Sequence, residues 1–217
     1  MKQLLLRRPS TLLAFLALSF ALVPAAQAAS LTTLTVTIDP KLTYLETFAD
    51  ANAGNTIAID LVAAGFQPGD TLMLDRLGSF APHGTGAADD TSGGMRGVFS
   101  TSNILLSSST LHRVAGAIDA GTDVSTQVVS PTGGLVSNDI AEDFSIYHTL
   151  VTVPTGARYL FVAASDIYWG DNTDPNGDFQ VRISTVATAV PEPTDATLFA
   201  AGLAALGLAG WRRRRTA

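Results

Sequence analysis

Between Leu31 and Thr185 the apolar and β-branched residues fall in short runs, each closed by a cluster of turn-forming residues. The clearest run is "DFQVRIST" (Asp178 to Thr185), where Phe179, Val181 and Ile183 alternate with Gln180, Arg182 and Ser184. A period of two puts one set of side chains in a core and the other in water, which predicts a strand. The same reading predicts strands at "LTTLTVTI" (Leu31 to Ile38), "NTIAIDL" (Asn55 to Leu61), "TLMLD" (Thr71 to Asp75) and "GVFS" (Gly97 to Ser100). It extends to "NILL" (Asn103 to Leu106), "FSIYHTLVTV" (Phe144 to Val153) and "ARYLFVAAS" (Ala157 to Ser165). "QPGD", "PTGG", "VPTG" and "DPNG" punctuate the series, as strand-to-strand turns require. "LTYLETFAD" (Leu42 to Asp50) is the one helical candidate in this region, and "PHGTGAADDTSGGMRG" (Pro82 to Gly97) reads as a long loop. The stretch from Ala115 to Gly134 is similar, with room for one strand. Many short strands at close spacing imply an all-β fold, a β-sandwich of the jelly-roll kind.

The two ends break this pattern. Lys2, Arg7 and Arg8 precede an apolar run from Thr11 to Val23, and Ala26-Gln27-Ala28 follows with a small-x-small cleavage pattern. That order is expected of a secretory signal peptide over residues 1–28. At the other end, "VPEPTDATLFAAGLAALGLAGWRRRRTA" (Val190 to Ala217) joins a Pro-Glu-Pro motif, an apolar segment and four arginines. The fifteen residues from Ala196 to Gly210 would span about 22 Å as a helix. That is short against a hydrocarbon core of roughly 30 Å. Trp211 would lie at the interface, and Arg212 to Arg215 would stay on the cytoplasmic side. The chain therefore divides into residues 1–28, a β-sandwich domain over 29–186, and a C-terminal segment over 187–217.

Charge and cysteine content narrow the classes open to the body. Seventeen acidic and six basic residues lie between Ser30 and Ala189, a net charge of −11. Such a surface repels phosphate, which argues against nucleic acid as a partner. With no cysteine in the chain, the exported fold must rest on its core or on bound metal, without disulfides.

The C-terminal order of "VPEP", apolar segment and arginine cluster resembles the PEP-CTERM sorting signal, with Val190, Pro191, Glu192 and Pro193 as the recognised motif. The resemblance implies a Gram-negative exporter that makes exopolysaccharide. It also implies processing by an exosortase, with the inner membrane as a transient station before the cell surface or extracellular matrix. The two prolines suit this role physically, because they keep the site extended and unpaired.

The body's densest polar chemistry lies in one loop. A predicted strand ends at Asp166, and Asp171, Asn172, Asp174, Asn176 and Asp178 follow before the next strand begins. Carboxylates and amide carbonyls on one flexible loop are what calcium, with its six to eight oxygen ligands, requires. An ion-free Asp/Asn-rich hairpin turn is the alternative. The stretch also resembles the galactose-binding PA-I-type lectins, small jelly-roll proteins that hold sugar through calcium. The matching residues are Val153-Pro154, "YLFVAAS", Asp166, Gly170-Asp171-Asn172 and Gly177 to Val181, with "PGDTLMLDRLGSFAP" (Pro68 to Pro82) upstream. That resemblance implies Asp166, Asp171 and Asn172 as side-chain ligands to calcium and the backbone carbonyl of Phe80 as another. It implies that Asp166 and Asn172 also bind sugar hydroxyls, with Tyr168 and Trp169 placed to stack on a pyranose ring. The interval from Asp166 to Gly170 is two residues shorter than in that family, and the loop is three residues longer after Asn172.

Enzyme signatures are scarce. The chain has no Gly-x-Ser-x-Gly, no His-Glu-x-x-His and no phosphate-binding glycine loop. His83, His112 and His148 lack zinc-like spacing. No catalytic residue is assigned. The expected function is therefore an exported envelope or matrix protein, a non-enzyme with a calcium-dependent, lectin-like site for an exopolysaccharide or galactose-like glycan. A structural matrix protein without ligand binding is the first alternative, and an envelope glycoside-active enzyme the second.

Overall fold

The alternation in Gln180 to Thr185 is realised as β11 (Gln180–Thr185), which lies between β1 (Thr33–Thr37) and β5 (Thr71–Leu77). Leu34 stands opposite Ile183 and Val36 opposite Val181, while Ile183 in turn faces Leu74. β9 (His148–Thr152) completes this four-stranded antiparallel sheet on the other side of β5, with Val151 opposite Leu72. Because register fixes which face each side chain meets, these pairings put Leu72, Leu74, Val151, Val181 and Ile183 in the core.

The second sheet is built on β10 (Tyr159–Ala164) and β6 (Met95–Ser100), antiparallel over their full length. β4 (Ile59–Asp60) pairs with the free side of β10. β7 (Ala117–Ile118) and β8 (Phe144–Ser145) take successive positions along the far side of β6. β10 is apolar along nearly all its length, and both sheets feed one cluster that includes Phe66, Phe99, Phe144 and Phe161. A small parallel pair, β2 (Leu42–Thr43) with β3 (Gly54–Asn55), stands apart. The fold is all-β, and apart from this pair its sheets are antiparallel.

This computed structural model describes residues 31–47, 50–83, 89–110, 112–121 and 142–186, with 199, 200, 202–204, 206 and 211 of the C-terminal segment. Residues 29–189 form one unit of the chain, and the terminal segments another. The signal peptide expected over 1–28 lies outside the described residues, as do Val190, Pro191, Glu192, Pro193 and the arginines at 212–215. The described residues of the tail are helical. Among the described residues no helix is long and apolar enough to cross a membrane.

Several expectations are corrected. The helix expected from Leu42 does not form over the described residues 42–47. Leu42 and Thr43 pair with Gly54 and Asn55 instead, and the Thr43 hydroxyl accepts the Leu45 N–H at 3.0 Å, turning the chain. Thr side chains compete for backbone in this way. "NILL" is no strand; one bridge between Leu105 and Val114 is all it contributes. "FSIYHTLVTV" divides into β8 and β9, because the Ile146 N–H bonds Met95 O in one sheet while Tyr147 O accepts from Arg76 in the other.

Candidate cation and ligand site in the 166–178 loop

The loop leaves β10 at Ala164 and is anchored by Trp169. The Trp169 ring is fully buried and donates its indole N–H to Ala164 O at 2.9 Å. It opens a 3-10 turn, Trp169–Asp171, whose last turn closes with Asn172 N–H on Trp169 O. Gly170 N–H is taken by the buried carboxylate of Asp50 at 2.7 Å. Thr173 then exchanges two backbone hydrogen bonds with Ala81, at 2.8 and 3.0 Å, and Phe80 does the same with Ser92. Three segments, 78–81, 90–92 and 166–178, are thereby tied together.

Gly78 makes the first of these approaches. It sits at φ +65°, and a Cβ there would fall 2.2 Å from Asp178 O. A residue with a side chain could not hold this position without displacing that backbone.

Of the residues expected to bind calcium, Asp166 and Asn172 are brought together. Asp166 Oδ1 accepts the Ile167 N–H at 2.6 Å, and its Oδ2 is buried without a hydrogen-bond partner. Asn172 is fully buried; its Nδ2 donates to Pro40 O at 3.0 Å, and its Oδ1 is buried without a partner. Burial pushes the Asp166 carboxyl above its ordinary pKa, and the exposed Asp171 charge adds to that, against hydrogen bonds from Ile167, Tyr168 and Asn172. Desolvation of a carboxylate with no cation beside it has this sign. The Phe80 carbonyl accepts from Ser92, and its ring packs on Phe179 with centroids 5.0 Å apart. Of the two expected stacking residues, Tyr168 is exposed and Trp169 is not. Trp169 is thus a core residue: its apolar ring fills space that the loop would otherwise leave empty, and no sugar can reach it.

A second acidic set, in which Asp90 joins two aspartates of the loop, lies in the same tied segments. Carboxylate oxygens of Asp90, Asp174 and Asp178 come within 4.8 Å of one another. Asp174 is turned onto its own loop, accepting N–H groups from Gly177, Asp178 and Phe179 at 2.9 to 3.3 Å. Asp178 Oδ1 accepts the Ser79 N–H at 3.1 Å. Both Asp90 oxygens are buried without a hydrogen-bond partner.

Compared with protein-family models, with curated proteins and with solved structures, the chain matches none. The site must be read from its own atoms. The other notable ionic group is on the outer face of the first sheet, where Asp75 receives His148 Nδ1 and, at 2.8 Å, Arg182 Nη2. The register places these three side by side on β9, β5 and β11, a cross-strand arrangement that stabilises a sheet face.

Proposed function

We propose that the chain is an exported jelly-roll protein whose 166–178 loop holds a divalent cation, calcium, and through it a glycan hydroxyl pair. The observation that carries this reading is the pair of orphaned buried oxygens, Asp166 Oδ2 and Asn172 Oδ1. Buried acceptors without donors are costly, and oxygens gathered on one loop are the ligands calcium takes. Asp166, Asp171 and Asn172 would hold the ion, and exposed Tyr168 would meet the sugar face. The strand order supports the jelly roll. With the β2–β3 pair set aside and the rest taken as eight successive positions, β7 and β8 sharing the fifth, the sheets run first-eighth-third-sixth and second-seventh-fourth-fifth. That is the order of two interlocked Greek keys. Export, exosortase processing at Val190 to Pro193 and a surface or matrix destination follow from the sorting signal the tail resembles.

The proximity of Asp90, Asp174 and Asp178 favours a second position for the cation. Calorimetric titration of the body, residues 29–189, with calcium separates the two. Heat that vanishes in Asp166→Asn and persists in Asp90→Asn supports the first position, and the reverse supports the second. Absence of heat in the unmodified protein would sink both.

A further inference from the structure

A separate concavity of about 570 Å³ opens between the segment around β3 and the loop that precedes Arg113. Small-molecule sites have volumes of roughly 300–1,000 Å³. Its lining includes Asp50, Asn55, Thr47, Ser107 and Ser109, which carry a carboxylate, an amide and three hydroxyls, with Leu106 exposed beside them. These groups are held from beneath by one fully buried guanidinium. Arg113 donates Nη1 to Leu45 O, Nη2 to Asn55 Oδ1 and Nε to Leu106 O, so it fixes both walls at once. Thr47 N–H on Ser108 O, at 2.9 Å, joins the walls directly. Asp50, over nine-tenths buried, is pinned by the Gly170 and Asn52 N–H groups at 2.7 and 3.2 Å.

We propose that this pocket binds a neutral polyhydroxylated ligand, one sugar residue of a glycan. The chemistry is complementary in each part. A carboxylate oxygen has further acceptor capacity after its N–H bonds, and hydroxyls both donate and accept. Asn55, with Oδ1 committed to Arg113, offers Nδ2 as a donor. Leu106 covers the C–H face of a ring. Among the described lining residues Asp50 alone is charged, and the Arg113 guanidinium behind the walls is engaged by Leu45, Asn55 and Leu106, so the lining offers an anionic sugar such as a uronate no cation to pair with. Rigid walls suit the role, because a preformed site does not have to be ordered when the ligand arrives. The pocket meets the 166–178 loop through the Asp50–Gly170 bond, but its donors and acceptors are its own. The inference stands whether or not a cation binds at Asp166.

The test is saturation-transfer NMR on the full chain in a sugar-free detergent, with glucose, galactose, mannose, N-acetylglucosamine and glucuronate, each with calcium and with chelator. At least one neutral sugar is expected to receive saturation, unchanged by chelator, and more strongly than glucuronate. Ser108→Trp, a change at an exposed rim position, should abolish the signal, and Asp50→Asn should weaken binding by about tenfold or more. Circular dichroism checks the fold of each variant, and Ser108→Trp keeps the test valid if Asp50→Asn misfolds. Three results would overturn the proposal: no transfer to any neutral sugar, a signal indifferent to Ser108→Trp, or one abolished by chelator, which would place the ligand on the cation loop. Glucuronate binding as well as its neutral counterparts would refute the assigned selectivity.

Discussion

Replacing Arg113 with methionine probes the fold and the pocket together. Methionine preserves most of the side-chain volume, so the change is chiefly electrostatic. Leu45 O, Asn55 Oδ1 and Leu106 O would each lose a donor from a side chain that is wholly buried. A buried acceptor left unpaired costs about 1–3 kcal/mol, and here three lose their donor together, Leu45 O fully buried and the other two partly so. The expected loss is therefore about 3–5 kcal/mol, against a total stability of about 5–15 kcal/mol for a domain. With a urea m-value of about 2 kcal/mol/M, the unfolding midpoint should fall by roughly 2 M. Arg113→Lys, which can serve one or two of the three acceptors, should fall in between. The assay is urea unfolding followed by tryptophan fluorescence, with the m-value unchanged. A midpoint shift below about 0.5 M for Arg113→Met would refute the view that this guanidinium cross-links the segments 45, 55 and 106.

Three further outcomes are expected. Calcium affinity should decline as pH falls through the raised pKa of Asp166, at values above the ordinary aspartate range of about 4. In calcium-free protein the ionised carboxyl costs stability at neutral pH, and that cost should fade over the same interval; a flat calorimetric pH profile would contradict both. Asp75 has the opposite sign: burial alone would raise its pKa, but hydrogen bonds from Arg182 and His148 overcome this and hold it low. The wild type's stability margin over Asp75→Asn should thus be full above about pH 4 and shrink as pH falls through the depressed folded value, read by thermal unfolding across pH. Gly78→Ala combines a positive φ with collision against Asp178 and should cost about 2–4 kcal/mol. Gly177→Ala, at φ +72° with open space around its Cβ, should cost about 1–2 kcal/mol; equal losses in chemical denaturation would mean that the close approach at Gly78 is not tight.

The long strands were legible because one face of each is buried. Thr33 to Thr37, Thr71 to Leu77 and Gln180 to Thr185 alternate as a two-sided sheet demands, and β10 shows the continuous apolar run of a strand covered on both faces. A two-residue strand such as β2 has no period to detect, and the single strand expected over Asn55 to Leu61 is corrected: it breaks into β3 and β4, which pair in different sheets. Leu42 to Asp50 imitates a helix: Tyr44 and Leu45 are both buried, which suits a turn between packed layers as well as a helical stripe. In the site, the acidic residues after β10 marked the loop, but composition could not tell which side chains face inward. Trp169, expected beside Tyr168 to stack on a sugar, is buried instead, its N–H satisfied by Ala164 O. Asp90 carried no signal beyond its place in a glycine-rich stretch. The bridge between Phe80 and Ser92 brings it to Asp174 and Asp178, across more than eighty residues of chain. Arg113 follows His112 and precedes Val114, and no spacing rule marks it as a buried cross-link.

The central claim is that Asp166 and Asn172 turn their orphaned oxygens toward a cation. Calcium titration of isotopically labelled protein, followed by NMR at the Asn172 side-chain amide, the Gly170 N–H and the Trp169 indole N–H, tests it at the atoms concerned. Saturable shifts of the Asn172 and Gly170 signals, lost in Asp166→Asn, are the expected result. Signals at 169–172 that stay fixed while calcium is added, or that move only with the Asp90 and Asp178 resonances and survive Asp166→Asn, would contradict it.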